Sequence, residues 1–334
     1  MATYKGIKGV KVVTKTSDPT ASEAVGTVWY NSTGVALKYA LQGTGAWATG
    51  TNFPASVNQA GGAGTLTTYL AWGGSDPGDQ RDETFKYDGA TWTAANSRNL
   101  KISGTSGLGT QTAALGAGGY NTSLSPVYTN ACEEFDGTCW ATANVDSAKP
   151  SVGYIGLTGT QTAGLSVAGY GSPPGQVSVC SEYDGTNWTT TSAYPSAKSN
   201  IFSFGIQTAA IGVGGAPPYS PMTAGFNYDG TSWSAGDSIN TGRTEGAQGG
   251  ISTSAMIAGG ATPTLSAKTE KYDGSSWTEV GDLGTARSLS ASGYSSASGV
   301  PTAFICVTGG VPAKSNVVEE WTDPVYTVKT VTVS

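Results

Sequence analysis

An all-β repeat architecture is what this sequence predicts, and two markers recurring in one phase predict it. The first is a hexamer, Tyr-Asp-Gly-x-x-Trp, read as YDGATW (87–92), YDGTNW (183–188), YDGTSW (228–233) and YDGSSW (272–277), with a variant FDGTCW (135–140). Its tryptophans, Trp92, Trp140, Trp188, Trp233 and Trp277, follow Trp47 at spacings of 45, 48, 48, 45 and 44 residues. A period of that length belongs to propellers and repeat arrays. The second marker is a small-residue apolar run ending in glycine: LAWGG (70–74), LGAGG (115–119), LSVAG (165–169), IGVGG (211–215), MIAGG (256–260) and CVTGG (306–310). Together they predict a six-bladed β-propeller of four-stranded blades over 53–334, preceded by a small β-rich segment, 1–52.

Residues 1–52 do not follow the repeat. Lysines dot the stretch from Lys5 to Lys15, and Ser17-Asp18-Pro19 marks a turn. The runs TVWYN (27–31) and ALKYAL (36–41) then read as a hairpin, because aromatic and β-branched residues are bounded by Ser32-Thr33-Gly34. Trp47 stands where a hexamer tryptophan would, without the Tyr-Asp-Gly.

Each later unit reads as four short strands, a to d. Strands a and b make a hairpin of small residues, as in GTSGLGTQTAALGAGG (104–119). Strand c ends in the hexamer aromatic, Asp-Gly turns the chain, and tryptophan opens strand d; both turn residues tolerate positive φ. Small inner strands suit a crowded axis, and aromatics fill the wider outer space, which is the taper of a propeller blade. The units are 55–94, 100–142, 150–190, 197–235, 243–279 and 286–333. The last lacks the hexamer, and 326–333 is expected as its outer strand. The alternative is that 36–41 and 46–49 complete it as a clasp, with the C-terminal strand packing elsewhere.

Bulk properties narrow the function classes. Charged residues are 12%, about half the roughly 25% of ordinary soluble domains. The 49 glycines are balanced by 9 Trp, 16 Tyr and 7 Phe at regular positions, and each buried Trp removes roughly 150–250 Å² from water. A net charge of −6 provides no diffuse basic field for nucleic acid. No apolar run approaches the roughly 20 residues of a membrane helix. The segment MATYKGIKGVKVVTKTSDP has no apolar core followed by a small-residue cleavage site, so the chain is expected either to stay in the cytosol where it is made or to leave by a route other than secretion. Cys132, Cys139, Cys180 and Cys306 have no metal spacing, and a turn at Asp136-Gly137 pairs residue 132 with about 143, which disfavours a Cys132–Cys139 bridge.

Catalysis finds little support. The chain has no histidine, which removes Ser-His-Asp, Cys-His and HExxH chemistry together. No catalytic residue, cofactor or metal site is expected. The hexamer aspartates Asp88, Asp136, Asp184, Asp229 and Asp273 read as turn formers, since turn chemistry alone explains their recurrence. The cations Lys101, Lys149, Lys198, Arg243 and Arg287 recur about ten positions after the tryptophans. They are read either as a ring near the central channel that takes an anion, or as loop caps paired with carboxylates. The loops joining strands b and c, 75–83, 120–128, 170–175, 216–221 and 261–266, vary most and would share one face, where binding residues tend to sit. There Tyr120, Tyr128, Tyr170 and Tyr219 offer flat amphipathic surfaces suited to sugar rings, and Asp76, Asp79, Arg81 and Asp82 offer polar contacts. The alternative is that these loops merely cover blade edges.

The GTQTAALGAGG…YDGTSW…TGR repeat resembles the degenerate kelch-like arrays of virion proteins of tailed phages, marine and cyanobacterial ones especially. GTVWYNSTGVALKYA is similar to the segment that precedes the repeats in such proteins and can anchor them to the particle. The KTVTVS stretch (329–334) is similar as well. FDGTCW, YGSPPG and the lost hexamer at Trp321 depart from the pattern. The resemblance implies a virion surface appendage, a tail fibre or tail-associated adhesin. It implies docking on other virion proteins through 1–52, several copies per particle, synthesis in the host cytoplasm, release by lysis, and a propeller that can bind host-surface polysaccharide. A capsid decoration protein is the alternative within that class. An intracellular kelch-type interaction module and a paired-carboxylate glycosidase are the alternatives outside it.

Overall fold

The structure, a computed structural model, describes residues 12–19, 27–42, 45–77, 79–147, 149, 151–171, 175–216, 222–293, 303–311, 313–323 and 326–331. These residues form seven β-sheets and no helix. They divide into two compact units, Met1–Ala46 with Asp323–Ser334, and Trp47–Thr322. The boundary therefore falls at 46/47 rather than 52/53, and the C-terminal strand belongs to the first unit.

In the first unit β1 (Val13–Lys15) runs parallel to β2 (Val28–Asn31), and β2 is antiparallel to β3 (Ala36–Gln42). Asp18 ties this sheet together. Its Oδ1 accepts from Trp29 Nε1 at 3.2 Å and Asn31 Nδ2 at 2.7 Å, and its Oδ2 from Lys38 Nζ at 2.6 Å.

The second unit contains six successive sheets. After β4 (Ala46–Thr49), strands β5 (Gly61–Thr65), β6 (Thr68–Trp72), β7 (Thr84–Tyr87) and β8 (Trp92–Ala95) form an antiparallel meander. The same order recurs in β9 (Ser106–Thr110), β10 (Ala113–Tyr120), β11 (Tyr128–Phe135) and β12 (Trp140–Ala143). The third sheet has β14 (Gly156–Thr160), β15 (Ala163–Gly171), β16 (Gly175–Tyr183) and β17 (Trp188–Thr191), with β13 (Val152–Gly153) also on β15. The fourth runs β18 (Phe202–Ile206), β19 (Ala209–Val213), β20 (Gly225–Tyr228), β21 (Trp233–Gly236). The fifth runs β22 (Ala247–Ile251), β23 (Ser254–Ala258), β24 (Thr269–Tyr272), β25 (Trp277–Glu279). The sixth has β26 (Ala291–Gly293), β27 (Ala303–Val311) and β28 (Ala313–Thr322), with β4 on its outer edge. Each first strand packs on the first strand of the next sheet, and β26 packs on β5, a propeller-like succession.

The expected outer strand of the last sheet is thus corrected. The final strand, β29 (Tyr326–Thr330), pairs with β3, and β4 takes the outer position. Trp47 explains the choice. The indoles of Trp92, Trp188 and Trp233 donate to the carbonyls of Thr51, Asn144 and Ser192 at 2.9–3.1 Å, each four residues after the previous tryptophan in the series. Trp47 follows the same rule, donating to the carbonyl of Gly281, four residues after Trp277, at 3.1 Å. Its ring also packs edge-on against Phe304 and Trp321 at 5.8 and 5.7 Å. The 326–333 segment has no tryptophan to fill that seat.

The hexamer builds one turn five times. Asp88, Asp136, Asp184, Asp229 and Asp273 each accept, through Oδ1, the backbone N–H groups two and three residues ahead at 2.7–2.9 Å. Those bonds hold the carboxyls of Asp88, Asp136, Asp184 and Asp229 below the ordinary aspartate range, and at Asp273 the Ser275 hydroxyl is the larger cause, with the backbone bonds after it. The flanking aromatic and tryptophan are register partners, as in Tyr87 opposite Trp92.

The identity of the hexamer aromatic follows from the neighbouring sheet. The hydroxyls of Tyr87, Tyr183 and Tyr228 donate to Glu320, Glu134 and Glu182, the residues just before the corresponding aromatic of the sheet before. Where that residue is Lys86, the next aromatic is Phe135, and the ammonium stands 5.5 Å from its ring centroid while donating to Gly137 O. Phenylalanine in FDGTCW thus sets an aromatic face, rather than a hydroxyl, against the Lys86 ammonium.

Four of the five recurring cations are buried. Arg243 and Arg287 pair with Glu270 and Glu319, and Lys198 donates to Gly214 O. Lys101 is instead 54% exposed, and Arg98 occupies the buried place, 2.6 Å from Glu133. Lys149 donates instead to Ser166 Oγ and Ala168 O, at 2.7 and 3.1 Å. Burial pulls its ammonium from 10.5 down to about 8. Between those values the unfolded chain holds a proton that the folded chain has released, so this group favours folding increasingly as pH rises. In the wild type, Cys132 and Cys306, pushed up to about 12 and about 11 by burial, oppose it above pH 9. Lys149→Met isolates the lysine. Its stability advantage over wild type in urea melts should be largest near pH 7 and shrink by roughly 3 kcal/mol by pH 10.5. An advantage that does not change with pH would show that Lys149 stays charged when folded.

Candidate functional site

Two extended ribbons carry the site. In β10 the chain bulges between Ala117 and Gly119, and in β15 between Val167 and Gly169. Gly118 (φ 66°) and Ala168 (φ 54°) hold the left-handed conformation that begins such a bulge. A Cβ on Gly119 would come within 2.6 Å of the Ile102 side chain, so only glycine allows this close approach. Beyond the bulges the strands pair further, setting Tyr120 opposite Tyr128 and Tyr170 opposite Gln176. The four-tyrosine cluster that results is continuous. Tyr128 lies 5.4 Å from Tyr120, 5.5 Å from Tyr170 and 6.4 Å from Tyr154, centroid to centroid.

Beside the cluster lies a succession of six left-handed residues, one ahead of each of β5, β9, β14, β18, β22 and β26: Gln59, Gly104, Tyr154, Asn200, Glu245 and Leu289, with φ between 53° and 65°. Five of the residues at these positions are not glycine, and left-handed backbone at such residues persists only where the surroundings enforce it. Here backbone bonds do so. The N–H groups of Gly104, Tyr154 and Asn200 each donate to the carbonyl of the previous member at 2.9–3.0 Å. Leu289 N–H donates to Glu245 O at 2.6 Å, and Gln59 N–H to Leu289 O at 2.8 Å.

Four of these residues, Gln59, Tyr154, Asn200 and Glu245, line a cleft of about 630 Å³ together with the ribbons. Tyr128, Tyr154 and Tyr170 supply aromatic wall, Gln59, Gln176 and Asn200 supply amides, and Glu245 supplies a carboxylate. A smaller cavity of about 110 Å³ shares Gln59, Tyr154, Asn200 and Glu245 with it. The hydroxyl of Thr244, which also lines the cleft, is buried without a hydrogen-bond partner. Burial, then the neighbouring Tyr170 and Tyr120, raises the Tyr128 phenol, and burial raises the Tyr154 phenol and the Glu245 carboxyl. The phenols therefore remain hydrogen-bond donors through neutral pH.

The structure brings together part of the expected site. Tyr128 and Tyr170 line the cleft, and Tyr120 packs on Tyr128 behind it. Tyr219 lies outside the described residues. Asp76, Asp79 and Arg81 do not line the cleft: Arg81 is committed to Asp76 and Glu83 at 2.6 and 2.7 Å, and Asp79 stands 3.7 Å from Lys101. None of the five recurring cations lines either cavity, and Arg243 and Arg287 pair with carboxylates as the loop-cap alternative expects. Gln59, Tyr154, Asn200 and Glu245 were not legible as site residues. Their one signal is shared phase, Asn200 and Glu245 each lying two residues after Lys198 and Arg243.

Among the described residues no group of three His, Cys, Asp or Glu side chains is placed to hold a metal ion. The arrangement of flat aromatic faces beside amides and one carboxylate can stack a ring and hydrogen-bond its substituents. Comparison with protein-family models gives no match, and comparison with curated proteins gives none either.

Proposed function

We propose that this chain is a surface appendage of a tailed-phage particle and that the tyrosine cleft is its carbohydrate-binding surface. In this reading the six sheets of 47–322 form a closed six-bladed, kelch-like propeller. Support for closure comes from the packing of β26 on β5, the Gln59 to Leu289 hydrogen bond and the Tyr87 to Glu320 bond. The first unit is the docking element toward other virion proteins, and it carries the segment that resembles phage anchors.

The observation that carries the binding reading is the convergence of Tyr128, Tyr154 and Tyr170 with Gln59, Gln176 and Asn200 around one cleft. Pyranose rings present apolar faces and a rim of hydroxyls, which stacked phenols and amides match. Tyr128→Ala removes the central ring of the cluster. On a glycan array it should weaken the strongest wild-type signal at least about tenfold, while circular dichroism stays unchanged. Equal binding by the variant would place the ligand elsewhere. Localisation by cryo-electron microscopy of particles tests the appendage reading. Density on the tail supports an adhesin, density on the capsid makes the chain a decoration protein, and absence from particles removes the virion reading.

A further inference from the structure

Among the described residues, Glu245 is the one charged side chain lining the cleft, and also the one lining the smaller cavity that adjoins it. The cations two residues before ring positions do not offset it. Lys198 is 2% exposed and donates to Gly214 O, and Arg243 is fully buried against Glu270. The electrostatic environment of the cleft is therefore set by one carboxylate among neutral donors and acceptors. Burial raises the Glu245 carboxyl and the nearby Ser288 hydroxyl opposes that rise, and a carboxylate offers about four acceptor positions to a ligand.

Resting on the carbohydrate reading of this cleft, we propose that Glu245 is a specificity-determining residue that selects neutral glycans and rejects acidic ones. Its carboxylate accepts hydrogen bonds from neighbouring hydroxyls of a neutral pyranose. The carboxylate, sulfate or phosphate of an acidic sugar meets a like charge with no cation at hand, and like-charge juxtaposition is an effective means of excluding a wrong partner. Asn200 and Gln59, which line the same cleft, hydrogen-bond either class and do not discriminate.

The test uses the full chain against pairs of neutral oligosaccharides and their uronic-acid counterparts, with Kd measured for each member. Wild type should bind the neutral member at least about tenfold more tightly. Glu245→Gln, which keeps the shape and removes the charge, should narrow that ratio to about threefold or less by gaining affinity for the acidic member. Gln176→Lys, in the strand β16, provides a second variant that does not touch the left-handed residues, and it should narrow the ratio in the same direction. Tyr128→Ala should weaken both members alike. A wild type that binds acidic members as well as neutral ones, or a ratio unmoved in both folded charge variants, overturns the selectivity while leaving the carbohydrate reading intact. Binding of neither class overturns the carbohydrate reading and this inference with it.

Discussion

Glu270→Ala is expected to cost about 3–5 kcal/mol of stability, because it leaves the buried Arg243 guanidinium without its counter-charge. Both partners are fully buried. The Glu270 Oε2 also accepts from the Asn240 backbone N–H at 2.7 Å and its side-chain amide at 2.9 Å, and Oε1 from Thr241 N–H at 3.3 Å. One carboxylate thus satisfies a cation and the chain segment leading into β22. Arg243→Met should be costly for the complementary reason, an unpaired buried anion. The double variant Arg243→Met/Glu270→Met removes both charges and should be more stable than Glu270→Ala, its remaining deficit being the orphaned N–H groups at about 1–3 kcal/mol each. Urea unfolding of the three variants decides it. Single costs below 1 kcal/mol, or a double variant at the sum of the singles, would show that the pair is not coupled.

Deletion of residues 1–52 should lower stability enough to prevent cooperative folding of the propeller-like unit, whereas deletion of 1–45 together with 323–334 should not. Within the propeller-like unit the two truncations differ by β4 and the three residues after it; the second also removes 323–334, which belong to the first unit. Loss of Trp47 alone corresponds to a large-to-small aromatic substitution, about 3–5 kcal/mol where the ring is fully buried and less for this half-buried one. The deletion also bares the outer edge of β28 and uncovers Trp321, which is 1% exposed in the intact chain. It further removes Thr51 O, the acceptor of the Trp92 indole. Total stabilities of domains are about 5–15 kcal/mol, so losses of this kind together consume much of the reserve. Thermal melts followed by near-ultraviolet circular dichroism compare the two. Equal melting temperatures would mean that β4 is dispensable to the last sheet. A simple anchor deletion at residue 52 would therefore confuse loss of docking with loss of folding, and the cut belongs before Ala46.

Several features of this protein are legible locally. The Asp-Gly turn, the strand that ends in the aromatic and the strand that opens with tryptophan all depend on residues within six positions of one another. The departures are legible too, once two sheets are compared. Phe135 follows Lys86, whose ammonium faces its ring, whereas Tyr183 and Tyr228 follow Glu134 and Glu182, whose carboxylates accept from their hydroxyls. Tyr128 and Tyr170 could be singled out because they bracket variable loops. Tyr154, Asn200 and Glu245 could not, since each is one polar or aromatic residue in an irregular segment. Their importance arises from a left-handed backbone that single-sequence periodicity does not register.

By itself the sequence determined the strands, their phase and the five repeated turns, because hydrogen bonds within a turn and the alternation of small and aromatic residues act over short separations. Only the tertiary structure decided which strand finishes the last sheet and which polar residues meet at the cleft. Strands β4 and β29 are both short and strand-prone, so propensity does not choose between them. The choice is made by a seat for Trp47 assembled from Thr269, Gly281, Phe304 and Trp321, more than 220 residues away along the chain.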